Sequence, residues 1–189
     1  MNSFYSEEEL KKIGFKSLGK NILLSRKTSI YGAENIELGN NCRIDDFTIL
    51  SGSILIGDYV HIAAFCGIYG GDAGVIFEDF VGLSARSIVY AVTDDYGGEV
   101  LTNPNIPMEY KNIIKGKVVF KKHSLIGAGA IVLPGVKVGE GTSVGSMALI
   151  NKDLLSWSIY VGIPAKKIKD RSRKLLDLEK KFLGVNIPI

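Results

Sequence analysis

The sequence predicts an all-β solenoid, and two observations carry that reading. From Ile126 to Ile150 a branched aliphatic returns at every sixth residue, as Ile126, Val132, Val138, Val144 and Ile150. The residue four places after each is again small or apolar: Ala130, Val136, Thr142, Ala148 and Leu154. An amphipathic helix would repeat every three or four residues, and a two-faced strand every two. A period of six with two inward positions describes a short strand and a corner, wound into a narrow prism. Gly127, Gly139 and Gly145 each follow an inward aliphatic, where a missing side chain relieves crowding.

The elements follow in order along the chain. Ser6 and Glu9 in "SEEE" have the spacing of a capping box, so residues 1–20 are expected to form a helical cap over the open first coil. Leu24 and Ile30 begin the repeat, with a slip of two before Leu38. Leu38, Ile44, Leu50, Ile56, Ile62 and Ile68 then hold the register, with Cys42, Thr48, Ile54, Val60 and Cys66 four places on. The pattern breaks at Asp72 and resumes at Phe77, Leu83 and Val89, three residues late, which predicts a bulge at Gly70–Gly74. The next step, from Val89 to Phe120, takes 31 residues instead of six, so 25 residues leave the solenoid as one loop, about 95–117. The solenoid is expected over 21–164. Residues 165–189 are expected to be a C-terminal amphipathic helix, because charged Ala165–Leu183 carries apolar Ile168, Leu175, Leu178 and Phe182. A β-sandwich with glycine-rich turns is the alternative, but it has no reason to keep one period over so many steps.

Composition bounds the function. The 189 residues, 46% hydrophobic, suit one compact domain. No apolar run is long enough to span a membrane, and "MNSFYSEEELKK" does not read as a secretory signal, so a cytoplasmic protein is expected. Cys42 and Cys66 fall on inward positions and read as buried, reduced, structural thiols. A net charge of +3 is too slight to argue for nucleic acid.

The period of six, "IGAGAIVLPGV" (Ile126 to Val136) and "VGIPAKKIK" (Val161 to Lys169) resemble the hexapeptide-repeat acyltransferases, over about Asn21 to Lys169. The resemblance implies a left-handed parallel β-helix, a homotrimer, and acetyl-CoA or another acyl-CoA as donor, with no metal. Within the family the chain looks most like sugar O-acetyltransferases of galactoside and maltose type and their relatives in lipopolysaccharide and O-antigen gene clusters. The activity so implied is acetyl transfer from acetyl-CoA to a sugar hydroxyl. By place in "IGAGA", "VGSMA" and "INKD", the resemblance puts Ala128, Ser146, Asn151 and Lys152 along the pantetheine arm, in a groove between two prisms. It puts Lys166 and Lys169 at the nucleotide phosphates, where a cation is needed. The family often has arginine there, so lysine implies a less directional contact.

The acceptor side departs from the family. A hydroxyl is a poor nucleophile at neutral pH and needs a base. The family usually supplies a histidine just before the large loop, but here "VYAVTDDYGG" has none, and Asp94 and Asp95 stand in its place. Of the two histidines, His61 in "GDYVHIAAF" falls in the strip that resembles the acceptor site and is the candidate base. His123 is expected to be a solvated turn residue. Counting faces from Ile56 to Val89 puts His61 and Asp94 on different faces, so His61 of one subunit is expected to meet Asp94 of the next, which would orient the imidazole. Asp72, Tyr96 and Tyr110 are candidate acceptor contacts, under a loop that carries Pro104 and Pro107. An N-acetyltransferase acting on a nucleotide-linked amino sugar would share this fold. A free amine is already nucleophilic, so the missing family histidine makes this the serious alternative to sugar O-acetylation. A γ-type carbonic anhydrase needs three histidine ligands for zinc, which two histidines do not supply. A non-catalytic scaffold predicts no acyl-CoA binding.

Overall fold

The computed structural model describes residues 3–184, and the chain winds as a left-handed parallel β-helix of three faces. Face one stacks Leu23–Leu24, Arg43–Ile44, His61–Ile62, Gly82–Leu83, Leu125–Ile126, Ser143–Val144 and Ser158–Val161. Face two stacks Ser29–Tyr31, the first parts of Ile49–Ile56 and Gly67–Phe77, then Ile88–Tyr90, Ile131–Val132 and Leu149–Ile150. Face three stacks Ser17–Leu18, Ile36–Leu38, the second parts of the same two long strands, Val118–Phe120 and Lys137–Val138. Arg43 pairs with His61, a step of 18 residues; His61 pairs with Gly82, a step of 21; Gly82 pairs with Leu125, a step of 43. The two enlarged steps are the bulge and the excursion loop that the interrupted repeat predicts.

The repeat exists because each coil fills its own section of the core. Leu24, Ile44, Leu50, Ile62, Ile68, Val89, Ile126, Val132, Val138 and Ile150 are fully buried. Of the inward polar residues, the hydroxyl of Thr48 donates to the Ala63 carbonyl at 3.2 Å and that of Thr142 to the Leu155 carbonyl at 2.6 Å, whereas the buried hydroxyl of Ser124 has no partner among the described residues. Cys42 and Cys66 are buried free thiols, and burial pushes both up to about 11, which leaves them inert. Gly127 packs against the next coil, where a Cβ would lie 2.5 Å from the backbone nitrogen of Ser146. Phe77 and Phe120, both fully buried, stack at 4.7 Å in the core. Phe120→Ala is expected to cost about 3–5 kcal/mol, read from the denaturant midpoint. A loss below about 1 kcal/mol would mean that the coils collapse to fill the gap.

Both ends carry the expected helices, but the C-terminal one is shorter than expected. Helix α1, Glu7–Ile13, starts at Ser6 with the full capping box and buries Leu10 over the first coil. Glu9 also takes both terminal nitrogens of Arg26 at 2.6 Å, and that pairing lowers its carboxyl to about 2. The expected helix over 165–189 is corrected, and its last residues, 185–189, lie outside the described chain. Lys166–Asp170 is instead a strand, antiparallel to Ser158–Val161, and only Leu175–Phe182 forms helix α2. The last coil leaves a row of unpaired backbone groups, and the chain doubles back to satisfy them. The result is a lysine-rich outer edge that discourages further strand addition.

The excursion loop is rooted by a two-stranded antiparallel ladder, Val92–Asp94 on Ile113–Lys115. Lys115 also bonds Asp72 of the bulge at 2.7 Å, so bulge and loop form one elaborated corner between faces two and three.

Candidate active site

The elaborated corner opens onto a groove of about 640 Å³, walled by Tyr90, Val92, Ile114, Leu133 and Pro134, with Asp94, Tyr96 and Asn151 at its polar positions. No histidine lines it. Asp94 ends the first strand of the loop root and is half-buried, and its side chain has no partner among the described residues. Asp95 is occupied differently. One of its oxygens accepts from the Gly97 backbone at 2.7 Å and the other from Asn112 at 2.9 Å. The Asn112 bond is the main reason its carboxyl sits below the ordinary value. Asp95 therefore braces the loop while Asp94 faces the groove. Tyr96 is 87% exposed at the groove mouth. Tyr110 lies in the turn Met108–Tyr110 and does not line the groove, and Asp72 is committed to Lys115.

His61 sits elsewhere, on face one, and its carboxylate partner is not Asp94. Its Nε2 lies 2.9 Å from Oδ2 of Asp45 on the preceding coil, and the other oxygen of Asp45 accepts from Nε of Arg43 at 2.7 Å. Burial works to raise the Asp45 carboxyl, but the bonds from His61 and Arg43 outweigh it and hold the group below its ordinary value. Within the subunit His61 and Asp94 stand apart, as the face count predicts, and His61 pairs with Asp45 because residues 43 and 61 are neighbours in the ladder.

The solvated turn expected at His123 is also corrected. His123 is 9% exposed, stacks on Phe80 at 5.1 Å and bonds Glu179 of α2 at 2.8 Å. Phe182 of the same helix meets Tyr59 and Phe80 edge-on, and Arg171 donates to the carbonyls of His123 and Gly141. Burial tends to raise the Glu179 carboxyl, but Lys122 and His123 override it and bring it down. These contacts fasten α2 over the corner between faces three and one, with His61 on the edge of the cleft beneath.

The candidate cofactor residues divide between two corners. Ala128 and Ser146 are exposed on adjacent coils between faces one and two, where the Met147 backbone bonds the Ala128 carbonyl at 2.8 Å. Asn151 and Lys152 lie at the far end of face two, and Lys166 and Lys169 are exposed on the doubled-back strand. Tyr90 and Asp45 are the residues that the sequence reading missed. The signal for Tyr90 was present: Tyr69 and Tyr90 each follow an inward aliphatic, 21 residues apart. Among the described residues there is no cluster of three or more potential metal ligands, and no helix is long and apolar enough to cross a membrane.

Comparison with known proteins adds to this geometry. The family model described as "Bacterial transferase hexapeptide (six repeats)" matches residues 35–70. A dTDP-4-amino-4,6-dideoxy-D-glucose acyltransferase of Escherichia coli is 44% identical over 183 residues, 95% of each chain. The crystal structure of AntD, an N-acyltransferase from Bacillus cereus in complex with dTDP and 3-hydroxybutyryl-CoA, has a TM-score of 0.95 at 55% identity, covering 97% of this chain and 98% of that one. A variant of the same protein, in complex with dTDP-4-amino-4,6-dideoxyglucose and coenzyme A, gives 0.96 at 54% identity, covering 98% and 100%. These are not the galactoside, maltose or O-antigen O-acetyltransferases that the motifs suggested.

Proposed function

We propose, for a chain that belongs to the hexapeptide-repeat acyltransferase family, that the acceptor is the amino group of a dTDP-linked amino sugar. The chain is an acyl-CoA-dependent acyltransferase acting on a sugar moiety. The observation that carries the finer reading is near-complete coverage, at 44% and 55% identity, by relatives described as acyltransferases of that chemistry. The groove supports it too. A hydroxyl acceptor would need a base, and no histidine of the same subunit lines this groove. An amine needs less help. The unpartnered Asp94 carboxylate would hold an ammonium group, take up one proton and leave the nitrogen lone pair free. The nitrogen then attacks the thioester carbon, the C–S bond breaks as the C–N bond forms, and the departing thiolate gains the remaining proton. The sugar O-acetylation read from the sequence is the less supported acceptor chemistry.

The donor is acyl-CoA, with Ala128, Ser146, Asn151 and Lys152 along its arm and Lys166 and Lys169 at its phosphates. Because these residues divide between two corners of one prism, one arm reaches both sets only in a cleft between two copies. A homotrimer is therefore part of the reading. An apolar patch supports it: Phe47 and Phe65 stack at 5.0 Å, 51% and 54% exposed. In such a trimer face one of one copy meets the groove of the next. His61 and Asp94 are then the two candidates for the proton, with Asp45 orienting the imidazole. The apolar walls at Val92, Ile114 and Leu133 leave room for an acyl group larger than acetyl.

The test offers the protein dTDP-4-amino-4,6-dideoxyglucose with acetyl-CoA or 3-hydroxybutyryl-CoA, and follows thiol release and product mass. Amide formation is expected with at least one donor. Acylation of a sugar lacking the amine, with none of the amino sugar, would overturn the reading.

A further inference from the structure

We propose that Tyr90, seated on Tyr69, is the platform on which the pyranose ring of the acceptor stacks, and so a residue that selects the sugar. This rests on the reading above that the acceptor is an amino-sugar nucleotide. Tyr69 and Tyr90 are ladder partners on consecutive coils of face two, with rings 5.3 Å apart and 11° from parallel. A glycine makes room for the first ring. Gly67 precedes Tyr69 by two, so both point outward from the same strand. A Cβ at Gly67 would lie 2.8 Å from Cε2 of Tyr69 and 3.3 Å from its hydroxyl. Tyr69 therefore folds back over the bare backbone, and Tyr90 lies against it.

The second ring is part of the groove wall that also carries Asp94 and Tyr96. Burial raises the Tyr90 phenol above its ordinary value, with smaller contributions from Tyr69 and Tyr96, so the three phenols lie close together. Neither Tyr69 nor Tyr90 is needed to fill the prism, since the inward positions beside them are Ile68 and Val89. A pyranose ring has an apolar C–H face that packs on an aromatic ring, and a 6-deoxy sugar adds a methyl to that face. An amino substituent on the ring would then reach toward Asp94, which the same wall presents.

The experiment compares two probes, dTDP-4-amino-4,6-dideoxyglucose and dTDP alone, by calorimetry, alongside steady-state kinetics. Tyr90→Ala is expected to weaken the sugar nucleotide by about tenfold, the scale of one aromatic contact with its buried area. Binding of dTDP alone and the KM for acyl-CoA should stay within about twofold. Tyr90→Phe keeps the ring and should restore affinity. Gly67→Ala should weaken the sugar nucleotide in the same direction but less, because its methyl displaces Tyr69. Should Tyr90→Ala fail to fold, Tyr90→Leu and Gly67→Ala carry the comparison. Equal loss for both probes would move the ring to the base or phosphates, and a raised KM for acyl-CoA would move it to the pantetheine arm; either overturns the proposal. Unchanged binding in Tyr90→Ala, with wild-type amide synthesis intact, overturns the platform alone. A wild type that neither binds nor acylates the amino sugar overturns the functional reading and this proposal together.

Discussion

Asp94→Ala is expected to lower kcat/KM for an amino-sugar nucleotide by about 10²–10⁴-fold, the usual cost of losing a positioned proton acceptor. The side chain is one of the groove's polar positions and has no partner among the described residues, so no side-chain contact of the fold depends on it. The melting temperature should therefore hold while activity falls. Asp94→Asn keeps the shape and removes the charge, and it should lose nearly as much. The contrast with Asp95 sharpens the test. Asp95→Ala breaks the bonds to Gly97 and Asn112 that brace the loop, so it should cost loop order first and turnover second. Steady-state kinetics with a melting curve for each variant decides the matter. Activity within about threefold of wild type in Asp94→Ala would remove this carboxylate from the chemistry.

The paired substitution Phe47→Glu with Phe65→Glu is expected to split a homotrimer into monomers and to reduce acyl transfer by more than about a hundredfold. Taking two carboxylates out of water at one interface is costly unless each finds a partner. Both side chains are about half exposed in the isolated chain, so the monomer should still fold. Activity should fall because the residues for the donor arm divide between two corners, and a single prism offers only half of the cleft. Light scattering gives the mass and thiol release gives the rate. A wild type that is monomeric and fully active, or a variant that keeps the trimer mass, would sink the argument.

The legible part of this molecule is the part where each coil solves its own problem. Inward residues must fill a prism of fixed width, so Ile44, Ile62, Val132 and Ile150 recur in step, and every departure from six is a bulge or a loop. That is why the repeat marks Gly70–Gly74 and the excursion after Val89, and the local spacing marks the capping box of Ser6 and Glu9. The same period distinguishes no outward residue from another. The solenoid, its interruptions and the candidacy of Asp94 and His61 are legible in residue order. The winding of the chain pairs His61 with Asp45, sets Asp95 to brace the loop while Asp94 is free, and lays Tyr69 back on Gly67 to support Tyr90. It alone decided that His123 is buried, because Glu179, 56 residues later, returns on α2 to meet it. It also turned Lys166–Asp170 from an expected helix into a strand, since the unpaired edge of the last coil outweighs the helical spacing of the chain that follows. The physical reason is common to all of these: the core is filled by residues of one coil, whereas an outward side chain takes its partner from whatever the winding brings beside it.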